Sequence, residues 1–365
     1  MEKTSKLFPL YFVLFMLCLL VGSPAYSKAP DQDAKPKFTV AWSIYVGWMP
    51  WPYAEQSGIL KKWADAYGIE INLKQMDYKP SVEAYVAKQV DAVTITNMEM
   101  LDNPAAAGID STAIILGDFS NGNDAICTVG IPSVKDLKGN TISIVELSVS
   151  HYLLARALEK HGLKESDVRL VNTSDSDIAT TFLTNAAKKR AVVTWNPMVM
   201  QVAQAPNVKT LFTSAEVPGE ILDLMVVRTD VLQKNPQLGK ALTGAWYEMM
   251  DLMGKRGPEA DAAMAVMAKL SGCSLTEFKG QLATTAMFYT PRSAHDYMTG
   301  EEIRTKMEFV RQFCFDHKLL GDKAASPNVV GITYPDGTLK GSGSNTTMRF
   351  DASFTKMALD GQLRR

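Results

Sequence analysis

The 365-residue sequence is poor in the residues on which metal binding and covalent catalysis depend. It contains 4 cysteines and 4 histidines, and their positions do not follow the spacing of a metal site. It also lacks a Gly-x-Ser-x-Gly nucleophile turn, a phosphate-binding Gly-rich loop and a pair of histidines on one helix. The sequence therefore predicts no metal, no cofactor and no catalytic residue, and it favours a binding function.

The sequence also lacks an excess of charge of either sign. It has 38 Lys and Arg against 39 Asp and Glu, a formal net charge of −1. Without a basic field, nucleic acid and anionic membrane surfaces are not expected partners. The chain has no internal repeat, and 46% of its residues are hydrophobic. Its length and composition predict a globular protein of two domains or lobes.

The N-terminal segment has the pattern of a secretory signal peptide. Lys3 and Lys6 precede an apolar run over residues 7–21, and small residues follow at Ala25 and Ser27. The sequence predicts cleavage after Ser27 and export to the periplasm. An uncleaved membrane anchor is the alternative, although the apolar run is short for a membrane span.

Three cysteines remain after this cleavage, and an odd number leaves at least one of them unpaired. Export permits a disulfide. Pairing of Cys273 with Cys314 is one option, and burial of Cys127, Cys273 and Cys314 as small apolar side chains is the other.

Short β-branched runs alternate with helical patterns along the chain, which is typical of an α/β protein. Residues 146–162 are an example: a strand end, a polar turn with the helix-capping candidates Ser148 and Ser150, and an apolar helix face that ends at Gly162. Open α/β sheets bind small ligands at the carboxyl ends of their strands. We therefore expect the ligand site among the residues that follow the strands.

Aromatic residues are concentrated at two of these strand ends. Trp42, Tyr45, Trp48 and Trp51 lie in one loop with Gly and Pro, and Trp195 precedes Asn-Pro. As a group they fit a rigid aromatic clamp around a flat ligand. Packing in the core or at a domain interface is the alternative for each of them.

Acidic residues also lie at the ends of the predicted strands, and no Arg or Lys lies in the same loops. These acids are Glu99, Asp118, Asp124, Glu146 and Asp223. Carboxylates and aromatic rings without arginine suit a small cation or a neutral hydrogen-bond donor. The helix N-terminus at Ser148 and Ser150 would instead favour an anion or a carbonyl oxygen, so the polarity of the site stays open.

Of the four histidines, His151 alone lies in a turn of the kind that binds ligands. His161, His295 and His317 lie among charged residues and are predicted to face solvent. An enzyme that uses His151 therefore stays as a competing interpretation.

An ordered set of short segments resembles the nitrate/sulfonate/taurine (NitT/TauT) class of ABC-transporter periplasmic substrate-binding proteins. The segments are Tyr45…Trp51-Pro52, Ala-Glu-Gln-Ser-Gly-Ile near Gly58, Asp91-Ala-Val, Asp118-x-Ser-x-Gly-x-Asp-Ala-Ile, Ser-Val-Lys-Asp-Leu-Lys-Gly, Ser150-His-Tyr-Leu-Leu, His-Gly-Leu-Lys-Glu-Ser-Asp-Val and Trp195-Asn-Pro. The similarity covers residues 38–270. The long C-terminal extension and Trp195-Asn-Pro look closest to the subgroup associated with urea carboxylase and linked to urea and guanidine uptake.

This resemblance implies a type II periplasmic binding fold, in which two Rossmann-like lobes are joined by a two-strand hinge. After a signal peptide at 1–27, it places the first lobe at 28–128 and the second at 129–224. Residues 225–365 complete the first lobe and add a C-terminal helical extension and tail. The hinge crossings are expected near 127–130 and 223–226.

The residues and the resemblance together predict a monomeric receptor that delivers a small solute to an ABC permease in the inner membrane. Guanidine is the favoured ligand, and urea or an amide comes next. A taurine, sulfonate or nitrate receptor and a pyrimidine-biosynthesis-like enzyme are the alternatives. The expected ligand-binding residues are Trp42, Tyr45, Trp48, Asn97, Glu99, Asp118, Ser120, Glu146, Ser150, His151, Trp195 and Asp223.

Overall fold

The computed structural model describes residues 35–363. The predicted signal peptide lies outside these residues. Within them, no helix is both long and apolar enough to cross a membrane.

The described residues alternate between strands and helices for most of their length. The strands are β1 (Lys37–Trp42), β2 (Glu70–Gln75), β3 (Ala92–Thr96), β4 (Ser111–Ser120), β5 (Ala125–Val129), β6 (Thr141–Ile144), β7 (Arg169–Asn172), β8 (Arg190–Thr194), β9 (Val208–Thr213), β10 (Leu222–Arg228), β11 (Thr285–Met287), β12 (Gly331–Thr333), β13 (Leu339–Lys340) and β14 (Thr346–Phe350). The helices are α1 (Pro50–Gln56), α2 (Ile59–Ala66), α3 (Tyr78–Val86), α4 (Asn97–Met100), α5 (Val149–Lys160), α6 (Asp175–Thr184), α7 (Met198–Ala203), α8 (Thr229–Lys234), α9 (Pro236–Gly254), α10 (Pro258–Leu270), α11 (Leu275–Leu282), α12 (Pro291–Thr299), α13 (Glu301–Asp316) and α14 (Ser353–Leu359).

The strands form two sheets. The first has the order β13-β12-β14-β4-β10-β3-β1-β2, with β11 paired to β4, and the second has the order β7-β6-β8-β5-β9. Strands β1 to β3 of the first sheet are parallel to one another, and so are strands β6 to β8 of the second. Each sheet also contains one strand that directly follows a crossing from the other sheet and is antiparallel to both of its neighbours. This strand is β10 in the first sheet and β5 in the second. This arrangement confirms the predicted α/β class with two lobes.

The centre of the first sheet is buried on both faces. All residues of β3 and β10 are buried; β10 is mostly Leu, Met and Val, and β3 consists of Ala, Val and Ile with two Thr. Such runs are expected where helices cover both faces of a sheet. The polar residues within these runs, such as Asp223, therefore need a specific environment.

The chain crosses between the sheets at 121–124 and at 214–221. The crossings predicted near 127–130 and 223–226 overlap strands β5 and β10, so the observed crossings lie several residues earlier. The physical reason is in the sequence of the first crossing, Asn-Gly-Asn-Asp, since these turn formers interrupt the strand pattern before the apolar residues resume.

The C-terminal part is more regular than the helical extension and tail that the sequence predicted. Beyond α13 the chain adds β12, β13 and β14, and β14 pairs with β4 in parallel. The apolar residues Ile332, Met348 and Phe350 of these short strands are buried in the larger hydrophobic core, which contains the first sheet. These strands were not predicted, because Gly- and Ser-rich turns separate their short apolar segments.

The cysteines of the described chain form no disulfide. Cys127 and Cys314 are buried thiols and Cys273 is half-buried, and all three are free. The optional Cys273–Cys314 bridge is therefore not present, and burial as small apolar side chains describes Cys127 and Cys314.

Candidate functional site

A narrow cavity lies between the two sheets, where strand ends from both halves of the protein meet. Its free volume of about 20 Å³ is close to the minimum of about 10–15 Å³ that holds one water molecule. It is lined by Ser43, Tyr45, Trp48, Tyr78, Thr96, Asp124, Val149, Trp195, Ile221 and Asp223. Almost all of them follow or end a strand, as expected for a ligand site in an open α/β fold.

Aromatic rings form a continuous wall that joins the two halves. The ring centroids of Tyr45 and Trp48 are 5.0 Å apart, those of Trp48 and Tyr78 5.6 Å, and those of Tyr78 and Trp195 6.0 Å. Edge-to-face contacts of this length are favourable. The indole N–H of Trp48 is buried without a hydrogen-bond partner. The wall can therefore contact a flat ligand through ring faces and offer it one N–H donor.

Four buried carboxyl groups stand at or directly behind this wall: Glu99, Asp118, Asp124 and Asp223, each at most 4% exposed. The hydroxyl of Tyr45 donates to Oδ1 of Asp118 over 2.7 Å. The Ser120 hydroxyl donates to Oδ2 of Asp124. Oδ1 of Asp124 is buried with no hydrogen-bond partner. The side chains of Asp118 and Asp223 are hydrogen-bonded to each other, and the carboxyl group that carries a proton is the donor. The Asp124 oxygen is thus left to accept a hydrogen bond from something else.

Glu99 links the two halves of the site. The backbone N–H of Val149, the first residue of α5, donates to Oε1 of Glu99 over 3.0 Å, and the Thr96 hydroxyl donates to Oε2. Glu99 belongs to α4, which follows β3 of the first sheet, whereas Val149 follows β6 of the second. The carboxylate therefore satisfies the start of α5 across the cavity.

These carboxyl groups hold their protons more tightly than ordinary acids. Burial raises the pKa of Asp118 and the pKa of Asp124 to about 7. Burial and the carboxylates of Asp118 and Asp124 raise the pKa of Asp223 well above its usual range, and burial raises the pKa of Glu99. No Lys, Arg or His is among the main causes of these shifts. The site therefore has no protein cation, and it gains negative charge as Asp118 and Asp124 lose their protons near pH 7.

The structure brings together part of the predicted site. Tyr45, Trp48, Trp195 and Asp223 line the cavity. Glu99, Asp118 and Ser120 stand one hydrogen bond behind a lining residue.

Other predicted residues have different places. Trp42 packs in the larger hydrophobic core, which contains the first sheet. The Asn97 amide donates to the carbonyl of Glu220 and accepts from the N–H of Leu222, so it holds the returning chain segment. Ser150 is buried in the first turn of α5 with an unpartnered hydroxyl, but it is not a lining residue.

Two further predicted residues lie away from the cavity. Glu146 is half-exposed, and its backbone N–H donates to the side chain of Asn172. His151 bonds instead to the backbone of Leu147 and to Glu165.

Several lining residues are not among the ligand-binding residues expected from the sequence. Tyr78 is the first residue of α3 and follows β2, so it also lies after a strand. Asp124 is one of the strand-end acids of the sequence, and it lines the cavity although it is not among the expected ligand-binding residues. Ser43, Thr96, Val149 and Ile221 carry no sequence signal of their own, because their role depends on how the two halves meet.

Within residues 35–363, a single cluster brings three side chains of metal-ligand type together: His151, Glu165 and His317. Their possible ligand atoms lie within 4.8 Å of one another. None of the three lines the cavity. The sequence predicted that His317 faces solvent. In the structure it is half-buried, and Oε1 of Glu165 lies 2.7 Å from its Nε2.

Comparison with solved structures confirms the type II periplasmic binding fold. The alkanesulfonate-binding protein SsuA of Xanthomonas axonopodis pv. citri, bound to MOPS, superposes with a TM-score of 0.66 and 16% identity over 80% of this chain and 97% of that one. At this identity the likeness shows the fold alone. Residues 53–256, more than half of the chain, match the family model described as NMT1/THI5 like. The protein belongs to the NMT1/THI5-like family.

Sequence relatives carry the names of binding proteins and not of enzymes. A binding protein of Brucella abortus (strain 2308) is 24% identical over 187 residues, which are 50% of this chain and 57% of that protein. The taurine-binding periplasmic protein of Escherichia coli (strain K12) is 28% identical over 136 residues, 35% of this chain and 40% of that protein. The chain thus matches about half the length of these curated relatives.

Proposed function

We propose that the protein is the periplasmic solute-binding component of an ABC importer, and that its ligand is a small planar nitrogen cation, guanidinium first. The observation that carries this proposal is the group of four buried carboxyl groups with no protein cation among them. A buried carboxylate is costly unless it is paired. A cationic ligand supplies the missing partner.

The groups that line the cavity support a planar donor. The unpartnered Oδ1 of Asp124, a lining residue, is an acceptor for an N–H group. The rings of Trp48, Tyr78 and Trp195 offer π-faces, which attract cations. Guanidinium presents N–H donors around its edge and a flat cationic face, so it satisfies both kinds of contact. Urea and simple amides share the donors without the charge, and they are the second choice.

A taurine, sulfonate or nitrate receptor is the competing proposal, and the names of related proteins favour it. The cavity opposes it, because an anionic group would face Asp124 and Asp223 with no Lys, Arg or His among the lining residues. An enzyme that uses His151 is less supported, because that imidazole bonds to Glu165 away from the cavity.

Calorimetry tests the ligand directly. Guanidinium chloride in the millimolar range, urea, taurine and nitrate are titrated into the protein at pH 8, with sodium chloride as the ionic control. We expect the tightest binding for guanidinium. Asp124→Asn should weaken it by roughly 10- to 150-fold, the value of one charged hydrogen bond of about 1.5–3 kcal/mol. Glu146→Gln, which alters an acid outside the cavity, should leave the affinity unchanged. Binding of taurine or nitrate without guanidinium would reject the proposed ligand.

Export is tested separately from the ligand. Expression of the full chain followed by osmotic release should recover a protein that begins at Lys28, the residue after the predicted cleavage site. Recovery of the uncleaved chain in the membrane fraction would favour the anchor. Complex formation with a permease encoded nearby would then test the role in import.

A further inference from the structure

Outside the cavity, Glu165 stands between two imidazoles that come from different parts of the fold. His151 lies in the first turn of α5, and Glu165 begins the short 3-10 helix Glu165–Asp167; both belong to the half built on the second sheet. His317 directly follows α13. Helix α13 packs with the first half, where its Met307 contacts the amide of Asn97. The cluster therefore joins the two halves at a point remote from the ligand.

Hydrogen bonds determine where His151 carries its proton. The backbone N–H of Leu147 donates to Nδ1 of His151 over 3.1 Å, so Nδ1 has a lone pair and no hydrogen. The neutral ring then carries its hydrogen on Nε2, which lies 3.2 Å from Oε2 of Glu165. His151 is thus a neutral donor to Glu165.

His317 has the opposite arrangement. Its Nδ1 lies 2.8 Å from the carbonyl oxygen of Phe313, which can only accept, so Nδ1 carries a hydrogen. Its Nε2 lies 2.7 Å from Oε1 of Glu165, an ionised carboxylate oxygen that also accepts. Both contacts are satisfied together when both nitrogens carry hydrogen, which is the imidazolium form.

The assignment of donors and acceptors at the His151 ring also disfavours a metal ion at this cluster. A metal bound to Nε2 of His151 needs the lone pair at that atom, and the ring hydrogen would move to Nδ1. There it would face the N–H of Leu147, and two donors would oppose each other. The hydrogen bonds of both imidazoles are therefore satisfied by ring hydrogens and not by a metal ion.

We propose that His317, Glu165 and His151 form a proton-dependent latch that holds α5 against α13 and favours the closed arrangement of the two halves. The latch closes when His317 is an imidazolium, and it loses a hydrogen bond and an ion pair when that proton leaves. Aromatic contacts share the interface: the Phe313 ring lies 5.1 Å from that of Tyr152, centroid to centroid. The latch adds a pH-sensitive component to this packing.

The surroundings of His317 fix the direction of the pH response. Burial lowers the pKa of His317, but its bonds to Glu165 and to the Phe313 carbonyl, with the charges of Glu165 and Asp316, raise that pKa above the ordinary 6.5. The adjoining groove also contains Arg156, Glu159 and Lys164. Because the folded pKa is raised, the stabilisation is fully present below pH 6.5 and is lost as the pH rises through the higher value.

Helix α5 connects the latch to the ligand cavity. Val149, two residues before His151, lines the cavity and bonds to Glu99. A change in how α5 packs on α13 therefore moves one wall of the cavity. The latch itself does not depend on which ligand is bound.

Ligand-free wild-type protein provides the test. NMR of the imidazole nitrogens between pH 5.5 and 9 should show His317 titrating above the ordinary 6.5. His161 is the matched control, because its Nδ1 also contacts a carbonyl, that of Ala157, but its hydrogen bonds include no carboxylate at Nε2. The His151 ring should show its hydrogen on Nε2, which faces Glu165. Small-angle scattering over the same interval should show an increase in the radius of gyration as His317 loses its proton.

Variants separate the latch from a general effect of pH. His317→Gln should reduce the pH-dependent change in the radius of gyration, since the cavity acids Asp118 and Asp124 also lose protons in this interval. His161→Gln should retain the full change. An equal change in His317→Gln, a His317 pKa at or below 6.5, or tight stoichiometric binding of Zn²⁺ that requires His151 and His317 would each overturn the proposal. Since no ligand is present, failure here would leave the proposed function untouched.

Discussion

Replacement of Asp124 by Asn should make the ligand-free protein more stable while it weakens cation binding. Asp124 is 2% exposed, and its Oδ1 has no hydrogen-bond partner. Asn has nearly the same size, and its amide oxygen can still accept from the Ser120 hydroxyl. The change therefore removes a buried charge and keeps the packing. Opposite effects on stability and affinity are the signature of a site that is built for a cation.

The magnitude follows from the pKa of Asp124. Burial raises this pKa from 3.8 to about 7, and a difference of about 3 units corresponds to roughly 4 kcal/mol. In the unfolded chain Asp124 ionises near pH 3.8, whereas the folded protein retains the proton until about pH 7. The wild type therefore loses stability across this interval as the pH rises, and the advantage of Asp124→Asn grows over the same interval.

Thermal unfolding measures this difference without urea or guanidinium, which the protein is proposed to bind. With an unfolding entropy of about 2.1 cal/mol/K per residue, 4 kcal/mol corresponds to a rise in Tm of about 6 °C at pH 8. At pH 4 the two proteins should unfold at nearly the same temperature. Glu146→Gln serves as the control for loss of a half-exposed carboxylate. Equal Tm values for Asp124→Asn and wild type at pH 8 would refute the assignment of a buried, unpaired charge.

Four other outcomes are expected. Guanidinium affinity should increase from pH 5.5 to 8, because acids with a pKa of about 7 must release protons, and calorimetry in two buffers of different ionisation enthalpy should detect that release. Tyr45→Phe leaves Oδ1 of Asp118 without its donor and should lower the unfolding free energy by about 1–3 kcal/mol, measured by calorimetric unfolding. Glu220→Gln weakens hydrogen bonds from Arg156 and Tyr152 and should cost about 1–3 kcal/mol in the same assay. A reducing agent should leave Tm unchanged, because the three cysteines are free.

The α/β class and the strand-end location of the site were predictable, because both follow from local patterns. The buried strands β3 and β10 are antiparallel, so the end of β3 and the start of β10 meet at one edge of the sheet, where Thr96 pairs with Asp223. The strands β12 to β14 were not predictable in this way. They are two to five residues long, and their burial depends on pairing with β4, which is more than 200 positions earlier.

Individual site residues were harder to predict than the site itself. Asp118 and Glu146 look alike in sequence, since each follows the apolar part of a strand. Asp118 faces inward because β4 is buried along nearly its whole length, whereas Glu146 lies in a turn that is closed by a bond to Asn172. The side chain's direction depends on the twist and partner of the strand, and a single sequence does not encode these locally.

The proposed ligand rests on the polarity of the cavity and not on the family. Sulfonate-binding proteins and this chain share a fold at 16% identity, and a shared fold permits different ligands because the lining side chains change independently of the scaffold. An anion needs donors, and the lining residues here place Asp124 and Asp223 at the cavity without Lys, Arg or His. The helix N-terminus of α5, the feature that would favour an anion, is already occupied, since the N–H of Val149 bonds to Glu99. The N-terminal dipole of α5 is thus used inside the protein, and the remaining carboxyl groups support the proposed cationic ligand.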